Sequence, residues 1–241
     1  MTFAKPCLTA LCALTFTATS HAALVTDRAE FAQYTDPTRH TGAVTTLVFD
    51  DILGTAAYPL NFFGTHRSGP RLFVGGLSFS GSTPGFTDDA YIADNAANTG
   101  YYDVDGSSAS LICGRQTCTI DLPDNVNIFG ADYRLDRLRD ASLPPAAETL
   151  SVRFRDGTRE SFTIDGDRTP RFFGIADLDR EIQQIVFTNT AAPAGSFQPY
   201  PVFDNVVFGR VAPVPEPGSI ALMAAGGALL SLVTARRRTR R

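Results

Sequence analysis

From Glu148 to Ile164 the chain alternates apolar and polar side chains, breaks at Asp156-Gly157, and alternates again. Successive strand residues face opposite sides of a sheet, so the pattern predicts a β-hairpin with one wet and one buried face. Asp-Gly supplies the positive φ that a two-residue hairpin turn requires. Leu150, Val152 and Phe154 are expected in a core, and Ser151, Arg153 and Arg155 in water. A hairpin of this kind needs a second layer over its apolar face, which restricts the fold to a few architectures.

Other segments read the same way. Strands are expected over Val44–Phe49, Leu72–Phe79 with a bend at Gly75-Gly76, Val126–Tyr133, Phe172–Ile175, Ile182–Thr188 and Val202–Phe208. One helix is expected over Thr26–Tyr34, capped by Thr26 or Asp27 and stopped before Pro37, with Ala29 to Phe31 and Tyr34 inward. There is no βαβ alternation and no glycine-rich phosphate loop, which excludes nucleotide-binding folds, and no fixed repeat, which weighs against propellers and solenoids. The expected fold is all-β: one jelly-roll-like β-sandwich of about ten strands with one short N-terminal helix.

Both termini differ from this body. Lys5 precedes an apolar run, Leu8 to Ala18, too short to span a bilayer of ~30 Å. Small residues at Ser20 and Ala22 then fit the pattern read by signal peptidase, so residues 1–22 are expected to be a signal peptide cut after Ala22. At the other end Gly218 to Ala235 carries no charge, and a helix of that length rises ~27 Å, enough to cross a membrane. Arg236, Arg237, Arg238, Arg240 and Arg241 follow and should stay cytoplasmic, which puts the body outside. Residues 23–211 are expected to form the sandwich, and residues 212–241 the tail.

Lys5 and the five tail arginines supply six of the 21 positive charges, and Glu216 one of the 25 negative ones, so the body carries a net charge of −9. An acidic body argues against nucleic acid as a partner and suits divalent cations. Cys113 and Cys118 are expected to close a hairpin between Leu111–Cys113 and Cys118–Leu122 with a disulfide, as suits an exported chain. His40 and His66 are isolated, which leaves a zinc site at those cysteines without its further ligands.

Val214, Pro215, Glu216 and Pro217, the apolar segment behind them and the terminal arginines together resemble the PEP-CTERM sorting tail of Gram-negative bacteria. The resemblance implies recognition by an exosortase, a membrane-embedded cysteine transpeptidase. It implies an inner-membrane-anchored precursor, then a cell-surface or extracellular-matrix location tied to extracellular polysaccharide and biofilm. The body is similar to that of common PEP-CTERM passengers through Val48-Phe49-Asp50-Asp51, Gly75-Gly76-Leu77-Ser78-Phe79, Phe129-Gly130-Ala131-Asp132 and Phe203-Asp204-Asn205-Val206-Val207-Phe208-Gly209. This likeness implies a lectin-like or carbohydrate-binding-like sandwich.

Three chemistries are open on the residues. Asp50, Asp51 and Asp204, near the first and last strands, are candidate ligands for structural calcium, with turn capping as the alternative. Tyr91, Tyr101 and Tyr102, with Phe86 and Asp88-Asp89, lie in a loop-rich stretch from Gly81 to Asp105 that could line a sugar site, or else cover the core. No Gly-x-Ser-x-Gly elbow occurs and no carboxylates can be paired for glycoside hydrolysis, so no catalytic residue is assigned. The expectation is a non-enzymatic, exported protein that binds polysaccharide. A polysaccharide hydrolase or lyase and a purely structural matrix protein are the alternatives.

Overall fold

The computed structural model describes residues 21–60, 65–67, 71–82, 90–97, 104–114, 116–136, 146–166, 169–189 and 200–213. Residues 1–20 of the expected signal peptide and the tail from Val214 lie outside these residues. So do Tyr101, Tyr102, Phe86, Asp88 and Asp89.

Fourteen strands, one helix and one 3-10 turn follow in chain order among the described residues. They are β1 (Ala23–Val25), α1 (Arg28–Thr35), β2 (His40–Leu47), the turn Phe49–Asp51, β3 (Thr65–Arg67), β4 (Leu72–Val74), β5 (Leu77–Ser82), β6 (Tyr91–Asp94) and β7 (Ala109–Ile112). Then come β8 (Thr117–Asp121), β9 (Ile128–Asp136), β10 (Ala146–Phe154), β11 (Arg159–Gly166), β12 (Arg171–Ala176), β13 (Ile182–Asn189) and β14 (Tyr200–Pro213). The first sheet runs β1-β12-β9-β14-β7-β6-β3, with β2 also paired to β14; the second runs β11-β10-β13-β8-β5-β4. All pairings are antiparallel, and sequence neighbours often belong to different sheets, as the expected sandwich requires.

The Asp156-Gly157 hairpin forms as expected: Gly157 has φ +88°, Asp156 Oδ1 accepts from Thr158 N at 2.8 Å, and Leu150, Val152 and Phe154 are fully buried. The bend at Gly75-Gly76 is a second tight hairpin, between β4 and β5, with both glycines at positive φ. The helix begins where its cap dictates, with Glu30 N donating to Asp27 Oδ1 at 2.9 Å.

Between the sheets, phenylalanines set the core. Phe173 stacks against Phe129, Tyr133, Phe187 and Phe203 at centroid distances of 5.8, 5.4, 5.2 and 6.3 Å. Burying each such ring stabilises the fold by about 1.5–3 kcal/mol. The outer face of the first sheet is covered. Phe31 of α1 packs there with Val25, Ile128, Phe172, Ala176 and Val211. A Cβ on Gly174 would fall 2.3 Å from the Phe31 ring, so the glycine is what lets the helix seat. Farther along the same face Val104 covers Tyr91, Ala93, Ile112 and Val202.

The disulfide joins Cys113 to Cys118, but not within a hairpin. Cys113 follows β7 in the first sheet and Cys118 lies in β8 of the second, so the bridge staples the corner where the chain changes layers. Two apolar runs flanking a short loop read alike for a hairpin and for such a corner. The difference lies in which strands each run pairs with: β7 with β6 and β14, β8 with β5 and β13. The corner is tight, since a Cβ on Gly81 would lie 2.2 Å from Gly114 N.

Candidate functional site

The second sheet keeps its outer face free of α1 and of the Val104 segment, which both lie on the other sheet. Strand alternation turns Ser and Thr outward on five neighbouring strands, and the register aligns them in rows. One row crosses Ser82, Thr117, Thr188, Thr149 and Thr163. The next crosses Ser80, Thr119, Val186, Ser151 and Ser161. A third runs Phe73, Ser78, Asp121, Gln184, Arg153 and Arg159. Same-face residues along a strand are roughly 6.8 Å apart and strands about 4.8 Å apart, so the face is a regularly spaced lattice of hydroxyls. Ser82 and Thr117 hydroxyls bond at 2.6 Å, and those of Ser151 and Ser161 meet at 3.3 Å.

The third row has more varied chemistry. Phe73 is 64% exposed on the edge strand β4, an apolar plate at the margin of the lattice. Beside it Gln184 Nε2 donates to Asp121 Oδ1 at 2.7 Å, and Arg71 Nη1 reaches Asp121 Oδ2 at 3.4 Å. The buried Ser78 hydroxyl has no hydrogen-bond partner among the described residues.

A second polar centre lies on the first sheet, where β14 changes partners. Val202 and Phe203 pair with β7, residues from Val206 onward pair with β2, and the pairing to β9 skips Asn205 and Val206. At this bulge Asn205 adopts φ 47°, one of two non-glycine residues at positive φ among those described. Its side-chain amide donates to Asp105 Oδ2 at 2.6 Å and to Asp132 Oδ2 at 2.9 Å. Arg28 of α1 closes the cluster on Asp132, through Nε at 3.1 Å and Nη2 at 2.5 Å.

Of the expected calcium ligands, Asp204 and Asp50 share this neighbourhood. Asp204 is fully buried; Oδ1 accepts from Asn205 N at 2.7 Å, while Oδ2 has no hydrogen-bond partner among the described residues. The Ser107 hydroxyl stands close enough to pull on this carboxylate and also lies within reach of the Ala109 carbonyl at 3.1 Å. Burial, with the Asp105 and Asp50 charges adding to it, pushes the Asp204 carboxyl up to about 6 against the opposing pull of Ser107 and Asn205 N–H. Asp50 caps the strand β7, accepting from Ala109 N at 2.6 Å and Ser108 N at 3.2 Å. Asp51 is exposed. Among the described residues no three His, Cys, Asp or Glu side chains converge to hold a metal between them.

Tyr91, the one described tyrosine of the expected sugar loop, is 8% exposed and packs against Ala93, Val104, Ile112 and Val202, so its ring offers no open platform. The structure adds one acid the sequence reading did not single out. Glu148 shares the inward side of β10 with Leu150, is 1% exposed, and has an unpartnered Oε2; burial raises its carboxyl to about 8.

The body is thus an antiparallel β-sandwich. Residues 213–238 match the family model of the PEP-CTERM protein-sorting motif, so the chain carries the C-terminal signal of an exported, membrane-anchored precursor. Among solved structures, the sandwich is similar to TmCBM61 in complex with β-1,4-galactotriose, at 13% identity and a TM-score of 0.35, over 56% of this chain and 89% of that one. No curated protein matches the chain. Among the described residues no helix is long and apolar enough to cross a membrane. The expected transmembrane segment lies outside them.

Proposed function

We propose that this chain is a non-enzymatic polysaccharide-binding protein of a Gram-negative cell surface or extracellular matrix. On this reading a signal peptide exports it and an exosortase-type transpeptidase processes its tail. The observation that carries the binding half is the hydroxyl lattice on the second sheet. Ser and Thr side chains are short and each hydroxyl both donates and accepts, so such a face meets a hydroxyl-rich polymer at little entropic cost. Phe73 adds an apolar plate against which a sugar ring can lie. Among the described residues the two acids with raised pKa, Glu148 and Asp204, are 1% and 0% exposed, away from any polymer, which favours binding over hydrolysis.

The sorting half is supported by the junction. β14 ends at Pro213, where the matched motif begins, and Pro215-Glu216-Pro217 follows at once. Because β14 is held by β9 on one side and by β7 and β2 on the other, removing the tail leaves the sandwich intact. Replacing Pro215, Glu216 and Pro217 by alanine should leave export across the inner membrane unchanged and trap the unprocessed form there. Normal maturation of that variant would refute the sorting role. Glycan-array binding by the purified body supports the binding role, whereas polysaccharide turnover lost on changing one Asp would favour a hydrolase or lyase.

A specific observation also favours a structural divalent cation such as calcium. Asp204 Oδ2 is a buried carboxylate oxygen with no hydrogen-bond partner among the described residues, and Asp50 and Asp105 lie close enough to raise its pKa. Hard cations accept two carboxylates completed by backbone carbonyls and water. On this reading Asp204 supplies one ligand, and Asp50 or Asp105 a second.

A further inference from the structure

His21 and Ala22 precede β1, yet both are tied to the folded body. The Ala22 side chain is 8% exposed and belongs to the main core. Its backbone N–H points between the two carboxylate oxygens of Glu160, at 3.3 and 3.2 Å. His21 Nδ1 stands 3.7 Å from the same carboxylate.

Glu160 is held rigidly for this task. Arg180 bonds to it, donates through Nε to Asp177 Oδ2 at 2.8 Å and through Nη1 to Thr158 Oγ1 at 3.2 Å, and lies over the Phe154 ring at 3.9 Å. Asp177 is buried and accepts from the backbone N–H groups of Asp179 and Arg180 at 3.0 and 2.8 Å. The chain Glu160–Arg180–Asp177 therefore holds two carboxylates to one guanidinium. Its surplus negative charge sits at the Glu160 end, facing the N-terminal segment, on a side chain only 16% exposed. Hydrogen bonds to an ionised carboxylate are roughly twice as strong as neutral–neutral ones, and a cationic donor adds charge attraction at a site this sheltered from water.

Cutting after Ala22 would remove the core methyl, the bifurcated amide and the imidazole from this carboxylate together. The sequence offers another bond. Ala18 and Ser20 are also small residues two apart, so the Ser20–His21 bond satisfies signal peptidase equally well. We propose that export processing hydrolyses the Ser20–His21 bond, so that the mature chain begins at His21 and its new α-ammonium completes the Glu160–Arg180–Asp177 network. This rests on the export reading above. In the hydrolysis the C–N bond breaks, the hydroxyl of water goes to the Ser20 carbonyl carbon and its hydrogen to the His21 nitrogen. The proton of the new acid then passes to the amine, whose pKa of roughly 8 keeps it mostly charged at neutral pH.

The test expresses the full chain in an export-competent Gram-negative host and determines the first residue of the exported form by intact mass and terminal sequencing. A start at His21 is expected. A start at Ala23 or later overturns this inference and leaves export standing, whereas an intact Met1 overturns export and this inference together. As a second measurement, chains produced with His21 or Ala23 first are compared by thermal melting. The His21 form should melt higher by at least about 2–4 °C, and Glu160→Gln should shrink the difference to what the buried Ala22 methyl contributes. Equal melting temperatures would refute the role given to Glu160.

Discussion

Asp204 Oδ1 accepts the backbone N–H of its own neighbour Asn205 at 2.7 Å, while its buried Oδ2 has no hydrogen-bond partner among the described residues. The bulge that produces this arrangement is also the point where β14 passes from β7 to β2. A cation there would offset the cost of a buried charge. Millimolar calcium should therefore raise the melting temperature at pH 7.5, where Asp204 is ionised, and much less at pH 5, where it is mostly protonated. Asp204→Asn should abolish the calcium effect. A calcium response unchanged in that variant would place the ion elsewhere.

Glu148 gives a pH dependence of definite sign. Its folded pKa, about 8, lies above the ordinary carboxylate value, so the folded state holds the proton more tightly than the unfolded chain. Stability contributed by the neutral acid is present below about pH 4.5 and falls as pH rises through 8, by an amount on the order of 5 kcal/mol. Glu148→Gln keeps the shape and cannot ionise. Melting curves from pH 5 to 9 should show the variant gaining on the native chain as pH rises, and parallel curves would contradict the assignment.

The Cys113–Cys118 bridge closes a short loop, so its loss should cost about 2 kcal/mol. Cys113→Ser should lower the melting temperature by several degrees without unfolding the body at room temperature. Alkylation with and without reductant, read by mass, checks that the bond forms.

Gly174→Ala would place a methyl 2.3 Å from the Phe31 ring. Overpacking of this kind costs about 1–3 kcal/mol, and it should act on the seat of α1. Hydrogen exchange should rise first in Arg28–Thr35. Unchanged exchange there would show that the helix is seated by other contacts.

What the sequence disclosed follows the range of each interaction. The Asp156-Gly157 hairpin, the Asp27 cap and the inward side of β10 depend on residues a few positions apart, and all three appear as read. The 3-10 turn at Phe49–Asp51 ends β2 earlier than the apolar run Val44–Phe49 indicated, because Phe49 leaves the strand to enter the core. The disulfide corner was misread since pairing partners of β7 and β8 are remote in sequence. For the same reason the hydroxyl rows could not be seen: Thr117, Thr149, Thr163 and Thr188 become neighbours only through the register of four strands. Asp50 and Asp204 came together because β2 pairs with β14, Asp132 joined them because β9 pairs with β14, and Asp105 reached them from a turn remote in sequence.

The most direct test of the account is co-sedimentation of the purified body with extracellular polysaccharide, comparing the native chain with a variant carrying Thr119→Glu, Thr149→Glu and Thr188→Glu. These side chains lie on the outer face, so the variant should keep the native melting temperature within a few degrees. The account predicts that the native chain pellets with the polymer and that the folded variant loses at least about tenfold in affinity, or 1.4 kcal/mol. Equal binding by the folded variant, or polymer shortened by the native chain, would contradict it.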